Sequence, residues 1–187
     1  MKIRRPLKIT SRTSSITNSF VQSIIPSIPA TASEVNEALA ILGMTSENIA
    51  CIYCSAVATD WDHLRPLVRG RRPTGYVDDV RNRVPSCNRC NQSKSGAEWR
   101  KWMLGDAGGA PKRKGVRDLE ERIKRLEAFE KWGAVQPLSL LELIAAAHWE
   151  AHWANHDTIL EKMRDSQKLA EQMRAAIQKT LSERSKT

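Results

Sequence analysis

Apolar and polar positions follow two rhythms along the chain. Over residues 59–64 they alternate. Trp61, His63 and Arg65 fall on one face and Asp62 and Leu64 on the other, which predicts a strand. An arginine-rich loop with Gly70, Pro73 and Gly75 follows. A second short strand is expected over 80–84, ended by Pro85. From residue 88 the spacing turns helical and predicts one helix over 88–104, with Trp99 and Trp102 on its core face. Upstream, Thr31-Ala32-Ser33-Glu34 is a capping box for a helix that runs to about Leu42 and stops at Gly43. Downstream, one helix is predicted over 117–132. Another starts at Pro137 and runs to about Arg184, broken near Asn155.

Two patterns on that last helix carry candidate chemistry. His148, His152 and His156 share one face, but Trp149 and Trp153 flank them and no cysteine or acid completes a metal shell. A polar or interfacial stripe is therefore the stronger reading. Ile159, Met163, Ser166, Ala170, Met173 and Ile177 form a thin heptad-like seam, fit to dock on the domain or to pair with a second subunit.

Composition sets outer limits. The 187 residues, 41% hydrophobic and 27% charged, fit one domain with appendages or two small domains, and they exclude wholesale disorder. No apolar run is long enough to span a membrane. The organisation expected is a basic N-terminal arm over 1–33, a helix plus metal-braced domain over 34–104, a Gly-, Pro- and Lys-rich linker over 105–116, and a helical region over 117–187. The net charge of +9 is uneven: +5 on residues 1–33, −3 on 34–50, +7 on 51–115 and zero beyond. A basic field concentrated in the arm and the middle third suggests nucleic acid as partner. The arm carries Lys2, Arg4, Arg5, Lys8 and Arg12, and Phe20-Val21 and Ile24-Ile25 suggest that its end packs on the domain.

The four cysteines form two C-x-x-C pairs, Cys51/Cys54 and Cys87/Cys90. Each pair can bring two thiolates to one tetrahedral Zn²⁺. Two disulfides or two redox dithiols are the alternatives. The chain has no apolar signal-peptide segment, and a cytoplasmic setting, prokaryotic or phage-derived, keeps thiols reduced, which favours zinc. With cysteine in all four places no position stays open for catalysis, so this metal is structural.

Between and around the knuckles stand the strings D-H-L-R-P, from Asp62, and N-R-V-P-S-C-N-R-C-N-Q-S-K, from Asn82. In order and spacing they resemble the HNH endonucleases, the ββα-metal nucleases, in the version braced by two C-x-x-C knuckles. The resemblance covers about a quarter of the chain, and its third position is Asn91 rather than histidine, an HNN variant. It implies an α+β fold: a ββα-metal core with a four-cysteine zinc site, plus the N-terminal arm and helix and the C-terminal helices. It implies that His63 is the general base, that Asp62 and Asn91 hold a catalytic Mg²⁺ or Mn²⁺, and that Asn82 supports His63. The chemistry agrees: a neutral imidazole can take a proton from water, and carboxylate and amide oxygens suit a hard cation.

Arg65, Arg69, Arg71, Arg72, Arg81, Arg83 and Arg89 crowd this segment, and with Lys94 they are candidate DNA contacts. The function implied is metal-dependent cleavage of double-stranded DNA, as a type II restriction endonuclease acting as a homodimer without membrane attachment. Homing, phage and modification-dependent nucleases share the core. A non-catalytic zinc module that binds nucleic acid is the rival from another class.

Overall fold

The computed structural model describes residues 6–184, so Lys2, Arg4 and Arg5 lie outside the described residues. The chain is mixed α+β, with helix predominating. Its elements in order are α1 (Thr13–Gln22), α2 (Ala32–Ile41), β1 (Asp60–His63), β2 (Val68–Arg69), β3 (Arg72–Pro73), β4 (Arg83–Ser86), α3 (Asn88–Lys94), α4 (Trp99–Met103), α5 (Leu119–Gly133), α6 (Leu140–Leu143) and α7 (Ala146–Arg184). The chain divides into two compact units. One runs from Val21 to Leu140, and the other combines the N-terminal residues through Phe20 with Leu141 onward.

The first unit holds both knuckles. β1 and β4 pair antiparallel, with Asp62 opposite Val84 and His63 opposite Arg83. α3 follows directly, with Cys87 at its N-cap. β4 starts later than the sequence predicts, because Val80–Asn82 close a 3-10 turn capped by the Asp79 carboxylate. Pro85 lies inside β4 instead of ending it. It faces Trp61 in the ladder, and its carbonyl accepts from the Ile52 N–H at 3.0 Å, tying the first knuckle to the strand.

The helix expected over 88–104 is two helices. Ser95 turns out of helical geometry at φ 48, ψ −131, and Glu98 restarts the chain by accepting from the Arg100 and Lys101 amides. Trp99 and Trp102 are buried as expected. α2 begins at the expected capping box, with Thr31 and Glu34 bonding reciprocally.

The core gathers Leu42, Ile52, Tyr53, Leu64, Val84, Trp99, Trp102 and Met103 with three of the cysteines. Ile123, Leu126 and Phe129 of α5 fill the same core, so this helix belongs to the knuckle-bearing unit and not to a separate helical region. Ile123, Leu126 and Phe129 at i, i+3 and i+6, with Leu119 and Trp132 beside them, form an apolar stripe that needs a hydrophobic partner, and the knuckle core is that partner. The segment 105–116 is turn-rich, but Ala110 is fully buried, so it packs and does not swing as a linker. Gly75, at φ +91, places its backbone where a Cβ would stand 2.4 Å from the Leu138 carbonyl.

The second unit corrects the expected arm. Residues 9–22 form a 3-10 turn and α1. The Ile9 amide donates to Gln167 on α7 at 2.7 Å, and the Thr17 hydroxyl meets His156 at 3.0 Å. Thr17, Trp153, His156, Leu160 and Gln167 are buried, so this N-terminal segment is folded structure and not a free basic tail. α7 is unbroken at Asn155; the break falls at Ala145, just before the helix. The buried positions 153, 156, 160 and 167 run beside the expected seam, of which Ile159, Met173 and Ile177 are exposed. His152 reaches the Phe20 carbonyl at 3.0 Å and His156 the Asp157 carboxylate at 2.8 Å, so these two histidines serve polar packing, while His148 is exposed. No helix among the described residues is long and apolar enough to cross a membrane.

Candidate functional site

The knuckles place the four cysteine Sγ atoms within 4.8 Å of one another. A tetrahedral Zn²⁺ with bonds of about 2.3 Å sets neighbouring sulfurs about 3.8 Å apart. Cys54 and Cys87 sulfurs stand at 3.7 Å, which matches that spacing and is far from a disulfide bond. Cys51 is held below the ordinary thiol range, chiefly by its hydrogen bond with Cys90, while the same contact and burial push Cys90 up. Thiols this close compete over protons, and a divalent cation relieves that competition. The four cysteines are thus placed to hold a metal such as zinc, and this is the one such cluster among the described residues.

From the second knuckle the chain runs into α3, and from the first it leads to β1, so the cysteines set the relative position of strand and helix. Alternation along β1 then separates Asp62 from His63. Asp62 points inward with Leu64 and is 4% exposed. Its Oδ2 accepts from the Tyr53 hydroxyl at 2.7 Å. The Lys94 ammonium lies 3.1 Å from Oδ1 and 3.0 Å from Oδ2 of the same carboxylate. It also donates to the His63 carbonyl at 2.8 Å. Burial pulls the Lys94 amine below its ordinary range, and the Asp62 charge works against that pull. Burial, with the neighbouring Asp62 carboxylate, pushes the Tyr53 phenol well up.

His63 points the other way and is partly open. Its Nε2–H donates to Asp78 Oδ1 at 2.7 Å, and its Nδ1 has no partner among the described residues. Burial alone would raise the Asp78 carboxyl. Hydrogen bonds from Arg83, His63 and Ser27 outweigh burial and hold it well below the usual carboxylate range. Arg83 reaches Asp78 with both Nε and Nη2, a two-point contact. Gln22, Ile25, Ser27, Leu67, His63 and Asp78 line a small cleft here.

The other expected residues separate into structural braces and more exposed groups. Asn82 is buried. Its Oδ1 accepts from the Arg65 amide at 2.8 Å, and its Nδ2 donates to the Arg65 carbonyl at 3.0 Å, so it braces the turn that follows His63. Asn91 is half-buried on α3, and its side chain has no hydrogen-bond partner among the described residues. Arg65 is committed to structure, pairing with Glu130 at 3.0 Å and lying over the Tyr76 ring. Arg81 pairs with Glu34, and Arg83 with Asp78. Arg69 and Arg71 are exposed at the β2–β3 hairpin tip, with Arg72 beside them and Arg89 exposed on α3. Lys94, read as a phosphate contact, is fully buried and does not reach solvent.

Two participants escape sequence reasoning. Tyr53 hides inside the first C-x-x-C, where it looks like a spacer. Asp78 lies 15 residues from His63 and is brought to it by the pairing of Arg83 with His63 and by the bridge from Ser27 to Asp78. An acid two residues before the 3-10 turn gives no local sign of that meeting. Neither a known protein family, nor a curated protein, nor a solved structure matches the chain.

Proposed function

We propose that this chain is a DNA endonuclease of the HNH type, with a structural zinc on its four cysteines. The observation that carries the reading is His63. It stands at the open end of β1 with Nε2 held by Asp78, which leaves Nδ1 as the basic nitrogen, beside the helix that bears Asn91. A carboxylate bonded to one ring nitrogen fixes the orientation of the imidazole and leaves the other nitrogen to face a water, which is what a general base needs. Arg69, Arg71, Arg72 and Arg89 supply positive charge for the DNA backbone.

The donor set expected for a catalytic Mg²⁺ or Mn²⁺ does not fit as it stands, because both Asp62 oxygens are already engaged, leaving Asn91 as a single neutral donor. Cutting both strands of a palindrome, as a restriction enzyme does, takes two copies, and the exposed Leu169, Met173, Ile177 and Leu181 of α7 are the surface we propose for that contact.

The rival reading, a zinc-braced module that binds nucleic acid without cutting it, draws on the same engagement of Asp62. Incubating supercoiled plasmid with the protein and Mg²⁺ or Mn²⁺ separates the two. Cleavage is expected, with His63→Ala slower by about 10²–10⁴-fold. Retarded but intact plasmid would establish the binding module instead.

A further inference from the structure

The Lys94 ammonium donates to Asp62 Oδ1 at 3.1 Å and to the His63 carbonyl at 2.8 Å, and it lies 3.0 Å from Asp62 Oδ2 as an ion pair. Its side chain has no exposure to solvent. On the other side of Asp62 the Tyr53 hydroxyl occupies Oδ2 at 2.7 Å. The carboxylate is thus paired with a cation, both of its oxygens are engaged, and the residue is only 4% exposed. A divalent ion placed here would meet a like charge that is fixed by its own hydrogen bonds and too deep for water to screen.

We infer that Lys94 is the resident cation of Asp62 and closes that carboxylate to divalent metals, whether or not the chain cuts DNA. The same ammonium ties the backbone of His63 on β1 to α3. Lys94 is therefore a positioning residue that spans strand and helix. A metal could use Asp62 only if the ammonium were removed.

The test is metal binding by the zinc-loaded full chain, independent of cleavage. Nitrogen-15 NMR of lysine-labelled protein, with the Lys94 signal assigned through Lys94→Met, reads the ammonium directly. In the wild type this signal should stay unchanged under millimolar Mg²⁺. Calorimetry should find no Mn²⁺ site in the wild type that Asp62→Asn removes. Lys94→Met should gain a Mn²⁺ site that the wild type lacks, and adding Asp62→Asn should abolish it. The inference is overturned if Mg²⁺ displaces the wild-type Lys94 signal, or if Asp62→Asn eliminates a wild-type Mn²⁺ site. It is equally overturned if folded Lys94→Met gains no such site. Should Lys94→Met fail to fold, the signal is assigned with Lys94→Arg and the wild-type titration decides.

Discussion

Asp78 shows how one carboxylate can serve both a fold and a site. It receives Arg83 and His63 together, and these contacts keep it ionised despite partial burial. A carboxyl whose folded pKa lies below its unfolded value stabilises the fold at pH above the unfolded pKa. That contribution drains away as pH falls through the folded value. Asp78→Asn should therefore cost about 1.5–3 kcal/mol near neutral pH, the range for hydrogen bonds to charged groups. The difference from wild type should shrink below about pH 4, as the unfolded chain takes up a proton that the native carboxyl still refuses. Urea midpoints of both proteins at about pH 7 and about pH 3 check it. A constant difference across that range would remove Asp78 from the acid-sensitive set.

At the scale of elements, the break between α3 and α4 is the local feature most exposed to test. Ser95 holds φ 48, ψ −131, a backbone region in which only glycine is at ease. The turn ends α3 just after Lys94 points inward to Asp62, and Glu98 then caps α4, from which Trp99 and Trp102 enter the core. Ser95→Gly should raise stability by about 1 kcal/mol, the low end of what such strain costs. It should do so without altering the helix content seen by circular dichroism. The N-terminal segment follows the same logic in reverse. Its Ser- and Thr-rich composition reads as loose, but Thr17 and the Ile9 amide find polar partners on α7, and those contacts order it.

For the whole molecule, the cysteine cluster governs one unit and is absent from the other. Cys51, Cys87 and Cys90 are part of the hydrophobic core of the unit that runs from Val21 to Leu140. Metal release there would leave competing thiols inside a small core. A strong chelator should therefore unfold this unit cooperatively. The near-ultraviolet signal of Tyr53, Trp99 and Trp102 should be lost, while much of the far-ultraviolet signal of α7, in the cysteine-free unit, should persist. One zinc per chain should be released. Retention of the near-ultraviolet signal after full zinc loss would show that the core stands without metal.

Several features were already legible along the chain. The capping box at Thr31 and the two knuckles are local patterns, written in neighbouring residues, and they appear where expected. The alternation along β1 was equally readable, and it put Asp62 on the face opposite His63. A carboxylate turned toward a core must find a cation or lose its charge. The sequence offers Lys94 one helical turn beyond Asn91, but it does not say that this lysine points inward. Only tertiary packing decides that, because the desolvation of an ion pair depends on everything around it. The same holds for Asp78 meeting His63, for Asn82 bracing the turn at Arg65, and for α5 completing the knuckle core. Patterns of a few residues are set by covalent geometry and local hydrogen bonds and can be read from order alone. Pairings across 15 or 32 residues depend on strand register and burial, and those exist only once the chain has folded.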